Sequence, residues 1–340
     1  MHKMIKYNQD KKGVVNVKKT LLGILLALVV IGVSFIDFGE IAERIFVIDK
    51  EELVKDCPIM VDGKLVRLGM AEESLLDTLG APCDTLLSEY GFYWNIYHEN
   101  FKNYIQVGVK DGIVVGMYTN SPELLFEDVE HGTEKEKIHS LFGEPLNGIV
   151  KGDTRYLSNG SDDSADFDSY KVRGAYVTFF YDTHKNNSLV SVNIIDCDIE
   201  ESFKMLYAPP SDELKISFET QNFYVTNAMR QNMGLAPFER NSELDKLALS
   251  HSLDMAQNNY FSHTSQNGDT VVDRSQRYDI HYQKLGENLA MGSQNSIYMH
   301  ELLMNSDGHR KNLLADFTNI GVGVAFSSDN KPYLTQNFSK

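Results

Sequence analysis

"NSELDKLALSHSLDMAQNNYFSHTS", residues 241–265, reads as a capped helix followed by a sharp reversal of the chain. Asn241 or Ser242 supplies the N-cap, whose side-chain oxygen meets free backbone N–H groups of the first turn. Leu244, Leu247, Ala248, His251 and Met255 recur at helical spacing and form a stripe that must be buried. His251 therefore reads as a hydrogen-bonded core residue. Tyr260 and Phe261 then anchor a reversal that presents His263.

Working outward, "FETQNFYVTNAMRQNMG" continues a helical pattern from Ser217 to a stop at Gly234. "KLGENLAMG" places Glu287 and Asn288 in a short segment of small residues, and "NSIYMHELLMNS" is a further helical run. In "NSDGHRKNLL", Asn305–Leu314, the Ser-Asp-Gly turn ends one helix and starts the next, so His309 sits at a helix junction. "NIGVGVAFSS" and "PYLTQNFS" alternate in strand fashion around a Ser-Asp-Asn-Lys turn. Helices flanking these strands predict an α/β/α sandwich over 215–340.

The preceding region is organised by a repeat. "RLGMAEESLLDTLGAP" (Arg67–Pro82) and "EHGTEKEKIHSLFGEP" (Glu130–Pro145) carry Gly69, Gly80 and Pro82 at the offsets of Gly132, Gly143 and Pro145. Each copy reads as a turn, a short helix and a Gly-x-Pro stop, followed by a strand pair. The first pair turns at Lys110-Asp111-Gly112. The predicted fold class is thus α+β: two tandem helix–hairpin repeats over 53–200, a linker at 201–214 containing Pro209-Pro210, and the sandwich.

Charge and hydropathy bear on location. Residues 1–36 hold six Lys against one Asp, whereas the whole chain carries a net charge of −16. So acidic a body excludes nucleic acid as a partner, because phosphate binding needs a basic face. Leu21–Ile36 is an uncharged apolar run preceded by Lys18 and Lys19. The positive flank predicts a cytoplasmic tail (1–19), an uncleaved signal anchor (20–36), and the bulk of the chain outside a cell membrane; secretion after cleavage is the alternative. Cys57 and Cys197 bracket the repeat region and are the candidates for a disulfide, with free thiols, Cys83 included, as the simpler reading. "SNGSDDSADFDS", Ser158–Ser169, is acidic enough to bind Ca²⁺ but lacks EF-hand spacing, and reads as a solvated loop.

The motifs "LALSHSLDMAQNNYFSHTS", "GENLA", "NSDGHRKNLL", "NIGVGVA" and "YLTQNFS" resemble, in order and spacing, the bacterial branch of the CAP superfamily (cysteine-rich secretory proteins, antigen 5, pathogenesis-related proteins; SCP-like). The likeness spans about Phe218 to Phe338. The repeat region with its anchor resembles the CAP-associated N-terminal domain of Gram-positive, membrane-anchored members. The resemblance implies an α–β–α sandwich with a cleft lined by two His and two acidic residues. Matched motif by motif, these are His263, Glu287 and His309, with Asn288 beside them. The second acid falls at Ser306, which removes one carboxylate. His263, His309 and Glu287 are also the candidate catalytic set and the candidate ligands for a divalent metal such as zinc, since His/His/Glu with an open fourth position suits catalytic zinc. Two functions follow as expectations. One is an envelope binding protein, whose partner is an envelope protein, a cell-wall component or a small lipid-like ligand. The other is a metal-dependent hydrolase or peptidase with Glu287 as base.

Overall fold

The structure, a computed structural model, describes residues 57–151, 154–156 and 166–340. The expected tail and anchor (1–36), residues 53–56, 152–153 and 157 of the repeat domain, and 158–165 of the acidic segment lie outside the described residues. Among the described residues no helix is long and apolar enough to cross a membrane.

The N-terminal domain runs β1 (Pro58–Val61), β2 (Lys64–Arg67), α1 (Glu72–Leu79), β3 (Asp84–Leu87), β4 (Tyr93–Glu99), β5 (Lys102–Lys110) and β6 (Ile113–Thr119). It continues β7 (Leu125–Phe126), β8 (Val129–Glu130), α2 (Lys135–Phe142), β9 (Ile149–Lys151), β10 (Thr154–Tyr156), β11 (Phe167–Val172), β12 (Ala175–Asp182), β13 (Ser188–Asp196) and α3 (Cys197–Ser202). Seven strands form one antiparallel sheet in the order β11-β12-β13-β6-β5-β4-β3. Two meanders, β4-β5-β6 and β11-β12-β13, therefore meet at β6 and β13. Their helices dock alike: Gly69 N–H donates to Val114 O (2.9 Å) and Gly132 N–H to Leu189 O (2.8 Å). Each unit is richer in strand than the predicted helix and strand pair. The β5–β6 hairpin turns on Asp111 and Gly112, both at positive φ (52° and 75°), the geometry of a two-residue primed turn.

Strand alternation splits this sheet into two faces. Ile105 and Val107 pack beneath the helices with Leu75 and Ile138. Tyr104, Tyr118, Trp94 and Ile195 face the other way, against Val225, Ala228 and Ile297 of the C-terminal domain. Both faces are covered, and β12 is buried at every position.

The C-terminal domain runs α4 (Asp212–Asn232), β14 (Glu239–Arg240), α5 (Ser242–Asn258), α6 (Val271–Arg277), β15 (Leu285–Met291), α7 (Ser296–Asn305), α8 (Asp307–Leu313), β16 (Asn319–Phe326) and β17 (Pro332–Ser339). Its sheet has the order β14-β16-β17-β15. Ile320, Val322, Leu334 and Phe338 face Phe218 of α4 and Leu303 of α7. On the other face α5 lies so close that a Cβ at Gly323 would stand 2.0 Å from Leu249 N. The predicted α/β/α layering is thus present.

Within 201–214, α3 reaches Ser202 and α4 begins at Asp212, where the Ser211 side chain accepts from Leu214 N–H. Cys57 and Cys197 lie in the interior, and Cys83 is exposed. One expectation is corrected. The acidic segment is not loop to its end: Asp168 and Ser169 belong to β11, where buried Asp168 binds His139 Nε2 at 2.7 Å.

Candidate functional site

Three elements converge on Glu287. It sits in β15, where the strand's pleat turns its carboxylate inward, and its side chain is only 3 % exposed. The adjoining Gly286 leaves room for Phe317, whose ring would lie 2.8 Å from an added Cβ. His263 comes from the reversal after α5, and its Nδ1 lies 3.0 Å from Glu287 Oε1. Arg274, on α6, donates to Oε2 at 2.6 Å, and Asn337 of β17 donates to the same oxygen at 3.1 Å. Arg274 also ties down the loop that carries His263, donating to His263 O, Ser265 Oγ and Asp269 O, each at 3.1 Å.

His309 is the third residue of α8, and its ring centroid stands 6.4 Å from that of His263. Asn288 is fully buried behind it and donates both to His309 O (3.2 Å) and to Gln336 Oε1 (3.1 Å). Asn312 completes the frame by donating to Asn288 Oδ1 (2.9 Å) and Glu287 O (3.1 Å). Ser306 lies between α7 and α8, and its side chain makes no capping hydrogen bond. His251 is buried on α5, with Nε2 2.9 Å from Ser262 O, and so braces the reversal as a core residue.

The electrostatics separate the roles. Burial alone would raise the Glu287 pKa. The hydrogen bond from His263 and the charge of Arg274, helped by His251, outweigh it and hold the carboxyl below its ordinary value. Burial, with a contribution from His263, pushes the half-buried His309 imidazole down. The site thus pairs a committed carboxylate with a neutral imidazole and with His263, whose side chain is 57 % exposed. With Nδ1 turned to Glu287, His263 offers Nε2 outward.

This arrangement does not fit a three-ligand zinc site. Both Glu287 oxygens are engaged, one of them by a guanidinium, and two imidazoles sharing a tetrahedral zinc have centroids about 5 Å apart, closer than these. Among the described residues no group of three or more His, Cys, Asp or Glu is placed to hold a metal.

Residues 223–338 match the sequence profile of the cysteine-rich secretory protein family, and residues 68–206 that of the CAP-associated N-terminal domain. The chain carries a CAP domain behind a CAP-associated N-terminal domain. It is 27 % identical over 349 residues to the membrane protein YlbC of Bacillus subtilis (strain 168), covering 95 % of this chain and 99 % of that protein. A stretch of 112 residues is 40 % identical to YkwD of the same organism, covering 33 % of this chain and 44 % of that one. Among solved structures, an extracellular protein containing an SCP domain from Bacillus anthracis str. Ames superposes with a TM-score of 0.69 at 27 % identity, over 80 % of this chain and 93 % of that one. A cysteine-rich secretory protein from Staphylococcus aureus subsp. aureus Mu50 shares the fold, with a TM-score of 0.66 at 18 % identity over 80 % and 91 %.

In the CAP domain the structure brings together four of the residues singled out from sequence, His263, Glu287, Asn288 and His309. Arg274 and Asn337 were missed. A signal for the first exists, since Thr270 and Asp273 form a capping box that starts α6 one turn before Arg274.

Proposed function

We propose that this CAP-domain protein is an extracytoplasmic binding protein, held at the membrane by the apolar 20–36 segment. Its cleft recognises a cell-wall component through the outward Nε2 of His263 and the imidazole of His309. The observation that carries this reading is the commitment of Glu287. A general base needs a free lone pair and an elevated pKa, whereas this carboxylate is held low and has both oxygens engaged, Oε1 with His263 and Oε2 with Arg274 and Asn337. Support for the location comes from a relative named a membrane protein and from a structural neighbour described as extracellular.

The test is ¹⁵N-histidine NMR of the protein titrated with soluble disaccharide-peptide fragments of digested Gram-positive cell wall. Saturable shifts of the His263 and His309 rings are expected, lost in His263→Ala, with the fragments unchanged in mass. Absence of shifts at millimolar fragment would overturn the reading. Turnover abolished by Glu287→Gln would put a hydrolase in its place.

A further inference from the structure

A second pocket lies between the two domains. On the sheet side it is lined by Asn120, just after β6, and by Asp182 at the end of β12; on the helix side by Glu301 and Met304 of α7 and Met233 at the end of α4. Its interior is about 80 Å³. At roughly 10–15 Å³ per water-sized position, that is room for about five to eight heavy atoms.

Its polar atoms are unevenly served. Glu301 is 5 % exposed, and the hydroxyls of Tyr118 (2.8 Å) and Ser191 (2.5 Å) both donate to its Oε1, while Oε2 accepts from no donor. Neither donor is charged. Asn120, also 5 % exposed, has a buried Oδ1 without a donor. The cations nearby do not make up the deficit. Arg310 donates to Asp182 Oδ2 at 2.8 Å and to Met304 O at 3.0 Å, and Lys185 stands exposed at the rim. His300 is buried and neutral, its pKa pushed to about 3 by burial, with Nδ1 3.2 Å from Thr226 Oγ1. The pocket therefore presents one buried acceptor that lacks a donor, Asn120 Oδ1, and the Oε2 of Glu301 that no side chain meets, beside the apolar side chains of Met229, Met233 and Met304.

We propose that this interdomain pocket binds a small primary ammonium compound, its N–H groups donating to Glu301 and Asn120 and its short apolar body resting on the methionines. An ammonium carries three donors and one charge: the charge favours the ionised form of a carboxyl that burial lifts to about 7, and a remaining N–H serves the orphan amide oxygen of Asn120. Free amines and small amino acids share this chemistry; the exposed Lys185 at the rim would favour the amino acid by meeting its carboxylate.

The experiment is a titration of the full-length protein, labelled with ¹³C at its methionine methyls, with n-propylammonium and, separately, with alanine. Tetramethylammonium and N-acetylalanine, neither of which has an ammonium N–H, are the controls. Saturable shifts confined to Met229, Met233 and Met304 are expected with at least one of the two ligands and with neither control. Tighter binding of alanine identifies the amino acid as the better occupant, and tighter binding of propylammonium the amine. Glu301→Gln should weaken binding about 10- to 100-fold, the worth of a charged hydrogen bond. Met233→Trp, which enlarges a lining side chain and leaves Glu301 itself unchanged, should abolish it and serves if Glu301→Gln fails to fold. No saturable shift with either ligand, equal shifts with the controls, or undiminished binding in Met233→Trp would overturn the proposal.

Discussion

Replacing Arg274 by methionine keeps the bulk of the side chain and removes its charge. The Arg274–Glu287 pair is 2.6 Å long, with side chains only 5 % and 3 % exposed, so water cannot take the place of the guanidinium. Stranding one partner of such a pair costs about 3–5 kcal/mol. The loss includes the anchorage of the His263 loop by the bonds to His263 O, Ser265 Oγ and Asp269 O. At about 2–4 °C per kcal/mol, the melting temperature near neutral pH should fall by about 6–20 °C. The pH dependence has a definite sign. The Glu287 pKa is depressed in the folded state, so its contribution is complete above the unfolded value near 4.5 and fades as pH falls through the folded value. Without Arg274 the carboxyl prefers its proton, so the gap between wild type and variant should narrow on acidification. Adding Glu287→Gln should restore at least half of the loss. Urea unfolding of the three proteins near pH 7 and near pH 4.5 measures all of this. A gap below about 1 kcal/mol at neutral pH, or one that does not change with pH, would refute the reasoning.

Gly323→Ala should destabilise the CAP domain by about 1–3 kcal/mol or more in urea unfolding, since its Cβ would collide with the backbone of α5 at Leu249. Glu301 is raised to about 7 by burial, so the folded state holds its proton more tightly than the unfolded chain. Its contribution to stability is fully present below about pH 4.5 and is lost as pH rises to about 7; Glu301→Gln should flatten this decline and gain about 3 kcal/mol on the wild type between pH 4.5 and pH 8. The His309 ring should titrate below 6.5 in NMR, and His263→Ala should raise its pKa only part of the way back, because burial is the larger cause. Titration of His309 at or above 6.5 in the wild type would contradict the burial described.

His263, Glu287 and His309 were legible because each lies in a short local motif whose turn or strand fixes where the side chain points. Arg274 was not, because in sequence nothing separates it from Arg277, one turn on, whose side chain is 58 % exposed. What distinguishes them is the tertiary position of β15, which no local spacing encodes. Asn337 is similar: the alternation of β17 was clear, but Asn337 meets Glu287 only through cross-strand register. In the N-terminal domain the hairpins and short helices were readable from turn glycines and periodicity. The closure of two meanders into a seven-stranded sheet was not, since β6 and β13 are far apart in the chain. One clue went unused: "AYVTFFYD" is apolar or aromatic nearly throughout, the mark of a strand covered on both faces, and so of a second domain lying against the sheet.

That covering has a consequence for the exposed Pro209-Pro210 connector. Tyr118 and Ser191 reach across to Glu301, Tyr224 reaches back to Asp84, and aromatic side chains from both domains fill a common core. The peptide link between the domains supplies local concentration more than architecture. A protease nick at the connector should yield two fragments on a denaturing gel and one undivided particle in gel filtration. The halves would behave as a heterodimer that happens to be translated as one chain.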